Sequence, residues 1–518
     1  MPLFRMILTR RADDTFEVIY SMYATIWSLL PFAVVIPVSM LTKQVIPGLV
    51  AGLIVGAFER TPTIMGTIDT ALRYLFTELT MSGNIHLLLF LYLFGAFIGI
   101  VRVTGGVKGL AHWLSPRIHS AKTAFAVTWL SSFGTFMAPD FRIIAIAPIM
   151  RPLIKKLGIS PERLAYIIDV TATPLIAIIP IGTAFVGYMV GLIATSLRHN
   201  GLSIAPYPFF LSTIALNFFS IIILLMAFYS SFFVKSVQPA NVRMRLSHIP
   251  RQEWQLETGK LDDASAKLEN VRVAQKAQSV IPEEPLELLS DQATPAVSHL
   301  VVPIALLLFF TFFLTWWDGH LKASGLFNVL MKADASKAML QAVFVTLILS
   351  VIFYMLRRQA IDRIMYGVVS GGNEMMPVLV LLALVWAVSA ISTDLGFSAY
   401  VAKTIGGVVP RQFIAPALFV FGSVISYFIG SSFGTWGILL PLGFSLAAST
   451  HASLPLIAGA VFASGTLGGF ASPLSDNTVA MATVMKLPVM GFSRRLLKPT
   501  LVAGGIAAAG YTVAGFLL

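Results

Sequence analysis

The sequence predicts an all-α, polytopic membrane protein built from two inverted-topology repeats, each with a re-entrant hairpin and a broken transmembrane helix. Of its 518 residues, 57% are hydrophobic and 12% are charged, and the mean hydropathy is +0.83, whereas soluble domains carry about 25% charged residues. Many apolar runs reach the ~20 residues that cross a ~30 Å hydrocarbon core, which predicts roughly ten to twelve membrane elements. The sequence Ser-Ser-Phe-Gly-Thr at Ser131–Thr135 recurs unchanged at Ser431–Thr435.

Composition and motifs exclude several classes of function. The chain has no cysteine, which excludes disulfides, thiolate metal sites and cysteine nucleophiles. It has no phosphate-binding loop, no nucleophile elbow and no metal-ligand spacing, so we expect neither an enzyme nor an ATP-driven pump, and no cofactor beyond a coupling ion. We interpret the net charge of +12 as a topology signal rather than as a nucleic-acid surface.

The first half of the membrane part is predicted to contain spans, one hairpin and one broken helix. Residues 1–23 form an N-terminal interfacial segment that lacks the pattern of a signal peptide, and residues 24–235 form the first membrane repeat. Hydropathy predicts the following elements: two spans around Lys43 at 24–41 and 44–58, an interfacial segment at 61–85, a span at 86–103, an amphipathic segment at 105–120, a hairpin at 121–155, a broken run at 163–197 and an apolar run at 204–235.

A soluble linker separates the two halves. Residues 236–298 hold seven Lys/Arg and nine Asp/Glu but few large apolar residues, which favours a solvated cytoplasmic segment. With the linker inside, fourteen Lys/Arg fall on inner loops and eight on outer loops, in the direction of the positive-inside rule. This orientation sends the first hairpin in from the inside and the second from the outside. Arg5, Arg10 and Arg11 conflict with a strict inversion, which puts the N-terminus outside.

The second repeat, residues 299–518, follows the order of the first. Its predicted elements are spans at 299–317 and 337–357, a span at 375–392 opened by Gly372-Asn373, an amphipathic segment at 394–405, a hairpin at 412–450, a broken run at 453–489 and a last span at 499–517. Three matches support two homologous halves, at offsets of 289, 300 and 299 residues. They are Gly83-Asn84 with Gly372-Asn373, the repeated Ser-Ser-Phe-Gly-Thr, and Ala172-Thr173-Pro174 with Ala471-Ser472-Pro473.

The repeated motif is the first candidate site. Inverted repeats with paired broken helices are typical of secondary transporters, because free backbone groups survive at membrane depth only beside protein or a watery cavity. There the carbonyls and hydroxyls can replace the hydration shell of an ion. The candidate residues are Ser131, Ser132, Gly134, Thr135, Ser431, Ser432, Gly434 and Thr435. Tight helix packing by small residues is the alternative, and the repetition weighs against it.

Two carboxylates in apolar runs form the second candidate site. Asp169 is followed by Thr171, Thr173 and Pro174, and Asp476 lies among hydroxyl and amide groups: Ser472, Ser475, Asn477 and Thr478. Intramembrane carboxylates are costly and are functional candidates by default. Desolvation favours the protonated form, so such a group can exchange a proton for a cation. We predict that Asp169 and Asp476 bind the ion, tentatively sodium; the alternative is that each only caps a half-helix.

Asp140 and Arg142 form the third candidate site, in the descending limb of the first hairpin. They could pair with each other, Arg142 could face an anionic substrate, or both could lie at the cytoplasmic mouth, where charge costs little. We expect Glu374 to have a structural or interfacial role near the end of a span.

Two segments resemble the NhaC-type sodium/proton antiporters, within the wider ion transporter superfamily. Ile149–Leu192 is similar to the central segment of these proteins, and Gly465–Thr483, GTLGGFASPLSDNTVAMAT, is similar to their later segment. The resemblance covers about 86–235 and 299–517. It implies an inverted-repeat fold, sodium- or proton-coupled transport and homodimers. It also implies that Asp169, Ser472, Pro473, Ser475, Asp476 and Thr478 are ion or substrate positions.

The segment Ala138–Arg142 departs from that family. The family pattern has a pair of acidic residues followed by aromatic residues and an asparagine, whereas this chain has Ala-Pro-Asp-Phe-Arg. One carboxylate is lost and a cation is gained, which suits an organic anion better than a bare cation.

Three hypotheses follow for a multi-pass protein of the plasma (inner) membrane with the lipid bilayer as its partner. The first is sodium/proton antiport. The second is sodium- or proton-coupled transport of a small organic anion, a carboxylate or an amino acid, on the same fold. The third, a channel or a regulatory membrane protein, has no need of repeated broken hairpins.

Overall fold

The structure is a computed structural model that describes residues 6–10, 16–20, 26–114, 117–180, 183–234, 294–322, 333–397, 400 and 410–518. Within these ranges, eight helices are long and apolar enough to cross a membrane, or ten if each of two bent pairs is one span. The prediction of an all-α membrane protein is confirmed. An antiparallel hairpin, β1 (Met6–Arg10) with β2 (Phe16–Tyr20), is an exception that was not predicted.

The helices of the first half follow the predicted order closely. They are α1 (Leu30–Thr42), α2 (Val45–Arg60), α3 (Ile64–Thr80), α4 (Ser82–Val103), α5 (Gly106–Leu114), α6 (Ala121–Leu130), α7 (Ser132–Thr135), α8 (Pro139–Leu157), α9 (Pro161–Val170), α10 (Thr173–Ile176), α11 (Ala184–His199), α12 (Pro206–Ile214) and α13 (Phe218–Phe232). Helices α1 and α2 meet at Lys43, which adopts a left-handed conformation (φ 56°).

The first hairpin and the first broken helix are both present. The hairpin rises in α6, turns through the single helical turn α7 and descends in α8, which begins at Pro139. Helix α9 ends at Val170, and a short break precedes Thr173 and Pro174 in α10. Proline has no N–H to continue a helix, which accounts for the positions of both restarts. Ile181 and Gly182 lie outside the described residues.

The helices of the second half differ from prediction at two places. They are α14 (Ser298–His320), α15 (Ala335–Leu356), α16 (Ile361–Glu374), α17 (Met376–Asp394), α18 (Ile414–Ile429), α19 (Ser432–Thr450), α20 (Leu454–Ala471), α21 (Asp476–Met485) and α22 (Val489–Leu517). Gly372-Asn373 was predicted to open a span but lies in the last turn of α16, a helix that was missed. The basic loop expected at 494–498 is helical, because α22 begins at Val489 and continues through Pro499.

Glycines allow α16 to pack directly against α4. A Cβ on Gly99 of α4 would lie 2.0 Å from the carbonyl oxygen of Gly367, and a Cβ on Gly371 would lie 2.3 Å from that of Gly95. Small residues spaced four apart on both helices let the two backbones touch, as is common between membrane helices. These glycines therefore join the first half of the chain to the second.

The second hairpin and the second broken helix are also present. Gly430, in the left-handed conformation (φ 77°), separates α18 from α19, and residues 472–475 separate α20 from α21. Residues 235–293 of the linker and most of the segment 394–405 lie outside the described residues. The domain boundaries and the inverted relation of the two halves stay predictions.

Candidate transport site

A central cavity lies where the second hairpin meets the first hairpin and the second broken helix. Four helices present their N-terminal residues to it: α8, α11, α19 and α21. The lining residues are Ala138, Pro139, Asp140, Ala184, Phe185, Met375, Gly430, Ser431, Ser432, Phe433, Gly469, Ser475, Asp476 and Asn477. Its volume is about 80 Å³, against the roughly 10–15 Å³ that one water requires on the same measure. The cavity therefore has room for several waters or one small solute.

Four helix N-termini face the cavity, and the C-terminal residues Gly430 of α18 and Gly469 of α20 line it as well and offset part of their field. Each N-terminus carries the equivalent of about half a positive charge on N–H groups that have no partner within the helix. Ser431 caps α19 by accepting from the Gly434 amide at 3.1 Å, and Thr183 caps α11 by accepting from the Val186 amide at 3.0 Å. Helices α8 and α21 have no side-chain cap. Their first N–H groups are the ones most available to an anion.

Asp140 and Asp476 place two carboxylates in the same cavity. Each lies in the first turn of an uncapped helix, α8 or α21, and each side chain is exposed there. They are close enough for their charges to repel. Two carboxylates and four helix N-termini thus face one small space, so the net charge of the site depends on whether protons or cations are bound to the carboxylates.

Six of the residues predicted from the sequence line this cavity, and the remaining twelve do not. The six are Asp140, Ser431, Ser432, Ser475, Asp476 and Asn477. The twelve are Ser131, Ser132, Gly134, Thr135, Arg142, Asp169, Thr171, Thr173, Gly434, Thr435, Ser472 and Thr478. Of the two copies of the repeated motif, the second therefore contributes to this cavity and the first does not.

Serine hydroxyls hold the break in the second broken helix open. Ser472 donates to the carbonyl of Tyr427 at 2.6 Å, and Ser475 donates to the carbonyl of Gly469 at 2.6 Å. Thr478 donates to the carbonyl of Phe470 at 3.2 Å. The bonds of Ser475 and Thr478 satisfy carbonyls at the end of α20 that the break leaves free, and the bond of Ser472 ties the break to the last turns of α18. Ser472 and Thr478 are thus positioning residues here, while Ser475 also faces the cavity.

Arg142 lies outside the cavity, in a cage of neutral oxygen atoms. It is fully buried, and its five N–H groups make five contacts: Nε and Nη2 with the Thr171 hydroxyl at 3.2 and 2.7 Å, Nη1 with the hydroxyls of Thr135 at 2.8 Å and Ser131 at 3.4 Å, and Nη2 with the Thr128 carbonyl at 2.7 Å. Neither a pairing with Asp140 nor a position facing a substrate is observed. Instead, Arg142 ties the tip of the first hairpin to the end of α9.

Asp169 is buried apart from the central cavity. Both of its carboxylate oxygens lack a hydrogen-bond partner among the described residues, and no ion pair within 4 Å involves it there. Nearby, the Asn477 amide donates to the Thr173 hydroxyl at 2.9 Å, which links the first broken helix to the start of α21. Asp169 and Asp476 therefore do not share one pocket, and the described residues hold no group of three or more metal-ligand side chains.

The two copies of the repeated motif differ in their surroundings. In the second copy, Phe433 lines the cavity and Gly434 packs against Val45. In the first copy, the Phe133 side chain is 78% exposed and a Cβ on Gly134 would meet no atom within 4 Å. The first copy thus turns Phe133 and Gly134 outward, while its Ser131, Ser132 and Thr135 are buried.

Aromatic residues that the sequence analysis missed close one side of the cavity. We call Phe185, Tyr188, Phe433 and Trp436 the aromatic plug. Ring centroids are 5.1 Å apart for Phe185–Phe433, 4.9 Å for Phe185–Trp436 and 4.8 Å for Tyr188–Phe433. The Tyr188 hydroxyl donates to the Phe433 carbonyl at 2.7 Å. The break at Pro180, just before α11, was a signal that could have pointed to Phe185.

Glu374, for which we expected a structural or interfacial role, forms an ion pair near the central cavity. One nitrogen of Arg102, Nη1, lies 2.7 Å from each of its carboxylate oxygens. Glu374 is the last residue of α16, and the next residue, Met375, lines the cavity. The pair thus fixes the C-terminus of α4 beside the site.

A polar cavity between two helical hairpins and a broken helix, in a chain whose described part holds eight to ten candidate spans, defines a secondary active transporter with a multi-pass membrane fold. The chain belongs to the Na+/H+ antiporter family, whose family model matches residues 8–227 and 183–491. The predicted relationship to the NhaC-type antiporters is thereby confirmed, as is a location in the membrane.

Similar proteins support this assignment. An uncharacterised protein of Haemophilus influenzae is 25% identical over 509 residues, which is 95% of this chain and 91% of that protein. The malate-2H+/Na+-lactate antiporter of Bacillus subtilis is 33% identical over 123 residues, only 22% of this chain and 26% of that protein. MtrF of Neisseria gonorrhoeae, one of a class of antimetabolite efflux pumps, has the same fold, with a TM-score of 0.58, 12% identity and coverage of 89% and 86%.

Proposed function

We propose that this antiporter exchanges small organic carboxylates and that protons or sodium ions on Asp140 and Asp476 couple the exchange. The observation that carries the proposal is the convergence of four helix N-termini on a cavity that also holds these two carboxylates. Helix N-termini bind anions, and a site for a bare cation alone has no need of four of them. This is the second of the two transport hypotheses from the sequence.

Charge explains how binding and coupling are linked at this site. Four N-termini contribute about +2, the C-termini of α18 and α20 about −1 and two ionised carboxylates −2, so the empty site is near −1. Two protons on Asp140 and Asp476 make the site more positive by two charges, which a dicarboxylate compensates. One sodium ion makes it more positive by one charge, which a monocarboxylate compensates. Each loaded form then has the net charge of the empty site, and the Bacillus subtilis relative carries these two combinations in its name.

Size restricts the solute. A cavity of about 80 Å³ holds the equivalent of roughly six waters on the measure used for buried water. That space fits a three- or four-carbon carboxylate and excludes large solutes unless the cavity widens. The hydroxyls of Ser431, Ser432 and Ser475 at the wall supply polar groups for a hydroxy acid.

Sodium/proton exchange without an organic solute is the second candidate. It is favoured by the facing pair Asp140 and Asp476, which can exchange one cation for protons, and by the family to which the chain belongs. Under either candidate, Asp169 remains a proposed proton or sodium position. A buried, unpartnered carboxylate is costly in its ionised form unless a cation neutralises it.

Transport in proteoliposomes separates the two candidates. Vesicles with pyranine inside report proton movement when malate is added outside and lactate is present inside, with or without sodium. We expect malate uptake to be accompanied by internal acidification and to require internal lactate for rapid turnover. Asp140→Asn and Asp476→Asn should each reduce coupled uptake at least 100-fold, whereas Asp362→Asn, an exposed carboxylate elsewhere, should not.

Two results would decide against the carboxylate proposal. Sodium-dependent proton flux in the absence of any organic anion, with no malate uptake, would assign the second candidate. Coupled malate uptake at the wild-type rate in both Asn variants would remove Asp140 and Asp476 from the mechanism. If the protein transports malate and lactate without converting them, both compounds should be recovered chemically unchanged.

A further inference from the structure

A second polar cavity lies at the far end of the helices that build the central cavity. Its lining includes Ser196 and His199 of α11, Ser389 and Ser392 of α17, and Ser445 of α19. From the central cavity it is eleven residues along α11 (Phe185 to Ser196) and thirteen along α19 (Ser432 to Ser445), about 17–20 Å at 1.5 Å per residue. The aromatic plug lies on the same two helices between the two cavities.

This second cavity has the size and the polar groups of a water site. Its volume of about 10 Å³ matches a single water. The hydroxyls of Ser196 and Ser392 are buried, and neither has a hydrogen-bond partner among the described residues. Buried water sites need two to four polar partners, and these two hydroxyls provide unsatisfied ones. The rest of the wall consists of aromatic and hydroxyl-bearing side chains, one asparagine and one proline.

A buried carboxylate connects this cavity to the surface. Glu78, at the end of α3, is 3% exposed. It accepts from Arg198 at 2.8 Å and from the Asn84 amide at 3.3 Å, and its Oε1 lies 3.5 Å from Nε2 of His199. The other ring nitrogen of His199, Nδ1, lies 2.9 Å from the Ser389 hydroxyl. One imidazole thus bridges the carboxylate and the cavity wall.

The Glu78 cluster and the central cavity lie towards opposite membrane faces. Asn84 contacts Glu78 near the start of α4, and Arg102 pairs with Glu374 at its end. Eighteen residues of helix separate Asn84 from Arg102, about 27 Å, which is close to the ~30 Å hydrocarbon thickness. The residues next to the Glu78 cluster, including Ser82, Gly83 and Gly201, are exposed.

We propose that Glu78, His199 and the serine-lined cavity form a second proton site, which passes a proton between this face and the transport path. A proton on the Glu78 carboxyl group moves to Nε2 of His199, and the proton on Nδ1 moves to the Ser389 oxygen. The serine gives up its own hydroxyl proton to a water in the cavity, so one proton is transferred and Glu78 is left ionised beside Arg198. When the plug opens, that water reaches the central cavity.

The surroundings of His199 are consistent with a proton relay. Arg198 is the charged neighbour of Glu78 besides His199 itself. From α1, α17 and α19, the described side chains at this cavity are uncharged, among them Phe32, Thr393 and Pro441. The alternative is a purely structural tether that holds the α3–α4 turn to the end of α11. A tether gives no role to the unsatisfied hydroxyls.

The test compares two modes of transport in the full-length protein. The inference rests on the proposed proton coupling, so wild-type protein must first show pH-driven malate uptake; its absence would refute the proposed function and not this site alone. Homoexchange of radiolabelled malate needs no net proton transfer, whereas pH-driven uptake does. We expect Glu78→Gln and His199→Gln to reduce pH-driven uptake at least tenfold and to change homoexchange less than twofold.

Control variants keep the test sharp. Glu78→Asp, which retains a carboxyl group, should recover part of the pH-driven rate, and Asp362→Asn, at an exposed position in the first turn of α16, should behave like wild type. The wild-type rate of pH-driven uptake in both Gln variants would overturn the relay. Equal loss of homoexchange and pH-driven uptake in both would also overturn it, because the cluster would then be a structural tether.

Discussion

Arg142 offers the sharpest test of how the first hairpin is held. We predict that Arg142→Lys destabilises the protein although it conserves the charge. The guanidinium group makes five contacts with four neutral groups, whereas an ammonium group has three donors and no planar fork. At least two charge-assisted hydrogen bonds are lost. At about 1.5–3 kcal/mol each, the expected loss is about 3–6 kcal/mol.

A graded pair of substitutions checks the same reasoning with a smaller perturbation. The Thr171 hydroxyl accepts two of the five contacts and the Thr135 hydroxyl accepts one. Each hydroxyl also donates to the backbone carbonyl four residues earlier, and both substitutions to valine lose this bond equally. Thr135→Val should therefore lose about 1.5–3 kcal/mol from the arginine contact, and Thr171→Val about twice that amount.

Heating detergent-purified protein and measuring the monodisperse fraction by size-exclusion chromatography gives the order of stability. We expect wild type to be the most stable and Thr135→Val intermediate, with Thr171→Val and Arg142→Lys lowest, because each of these two loses about two contacts. Arg151→Lys is the matched control, since Arg151 makes one bond, to the Val484 carbonyl at 3.1 Å, that a lysine can replace. An Arg142→Lys protein with wild-type thermal stability but weakened malate affinity would refute the cage and return Arg142 to substrate binding.

Two further predictions concern packing and the plug. Gly99→Ala should severely reduce the yield of folded protein, because its Cβ would lie 2.0 Å from the Gly367 carbonyl oxygen. Gly505→Ala, where a Cβ would meet no atom within 4 Å, should be neutral or slightly stabilising. The expression level and the thermal stability of the two variants test this difference. Tyr188→Phe removes one hydrogen bond from the plug, about 0.5–1.5 kcal/mol, and should raise the labelling rate of Ser196→Cys by an impermeant thiol reagent about two- to tenfold. An unchanged labelling rate would contradict the plug, and the cysteine-free chain supplies the background.

Local signals in the sequence predicted the breaks in the helices. Pro139 and Pro174 each lie in the first turn of a helix, where the missing N–H of proline costs no hydrogen bond, and the repeated Ser-Ser-Phe-Gly-Thr lies at both hairpin turns, so these features follow from short stretches of chain. Gly372 misled for a physical reason. Glycine serves both to break helices and to let helices touch, and hydropathy does not distinguish the two uses.

The composition of the site was harder to predict. Asp140 and Asp476 are 336 residues apart in sequence and meet only because α8 and α21 direct their N-termini into one cavity. The sequence paired Asp476 with Asp169 because both lie in apolar runs, but burial alone does not say which pocket a carboxylate enters. Likewise, the charge of Arg142 suggested an anion site, whereas its guanidinium group instead binds four hydroxyl and carbonyl oxygens of the surrounding residues.

The Arg142 cage has a mechanical consequence. Two of its five contacts join the first hairpin to Thr171 at the end of α9 and the other three hold the hairpin tip together, whereas a single hydrogen bond and ring contacts hold Tyr188 to the tip of the second hairpin. In a conformational change, helices separate most readily where the fewest polar contacts join them. We therefore expect the first hairpin and α9 to move as one rigid body, and we expect the relative motion of the transport cycle to occur between α11 and Phe433.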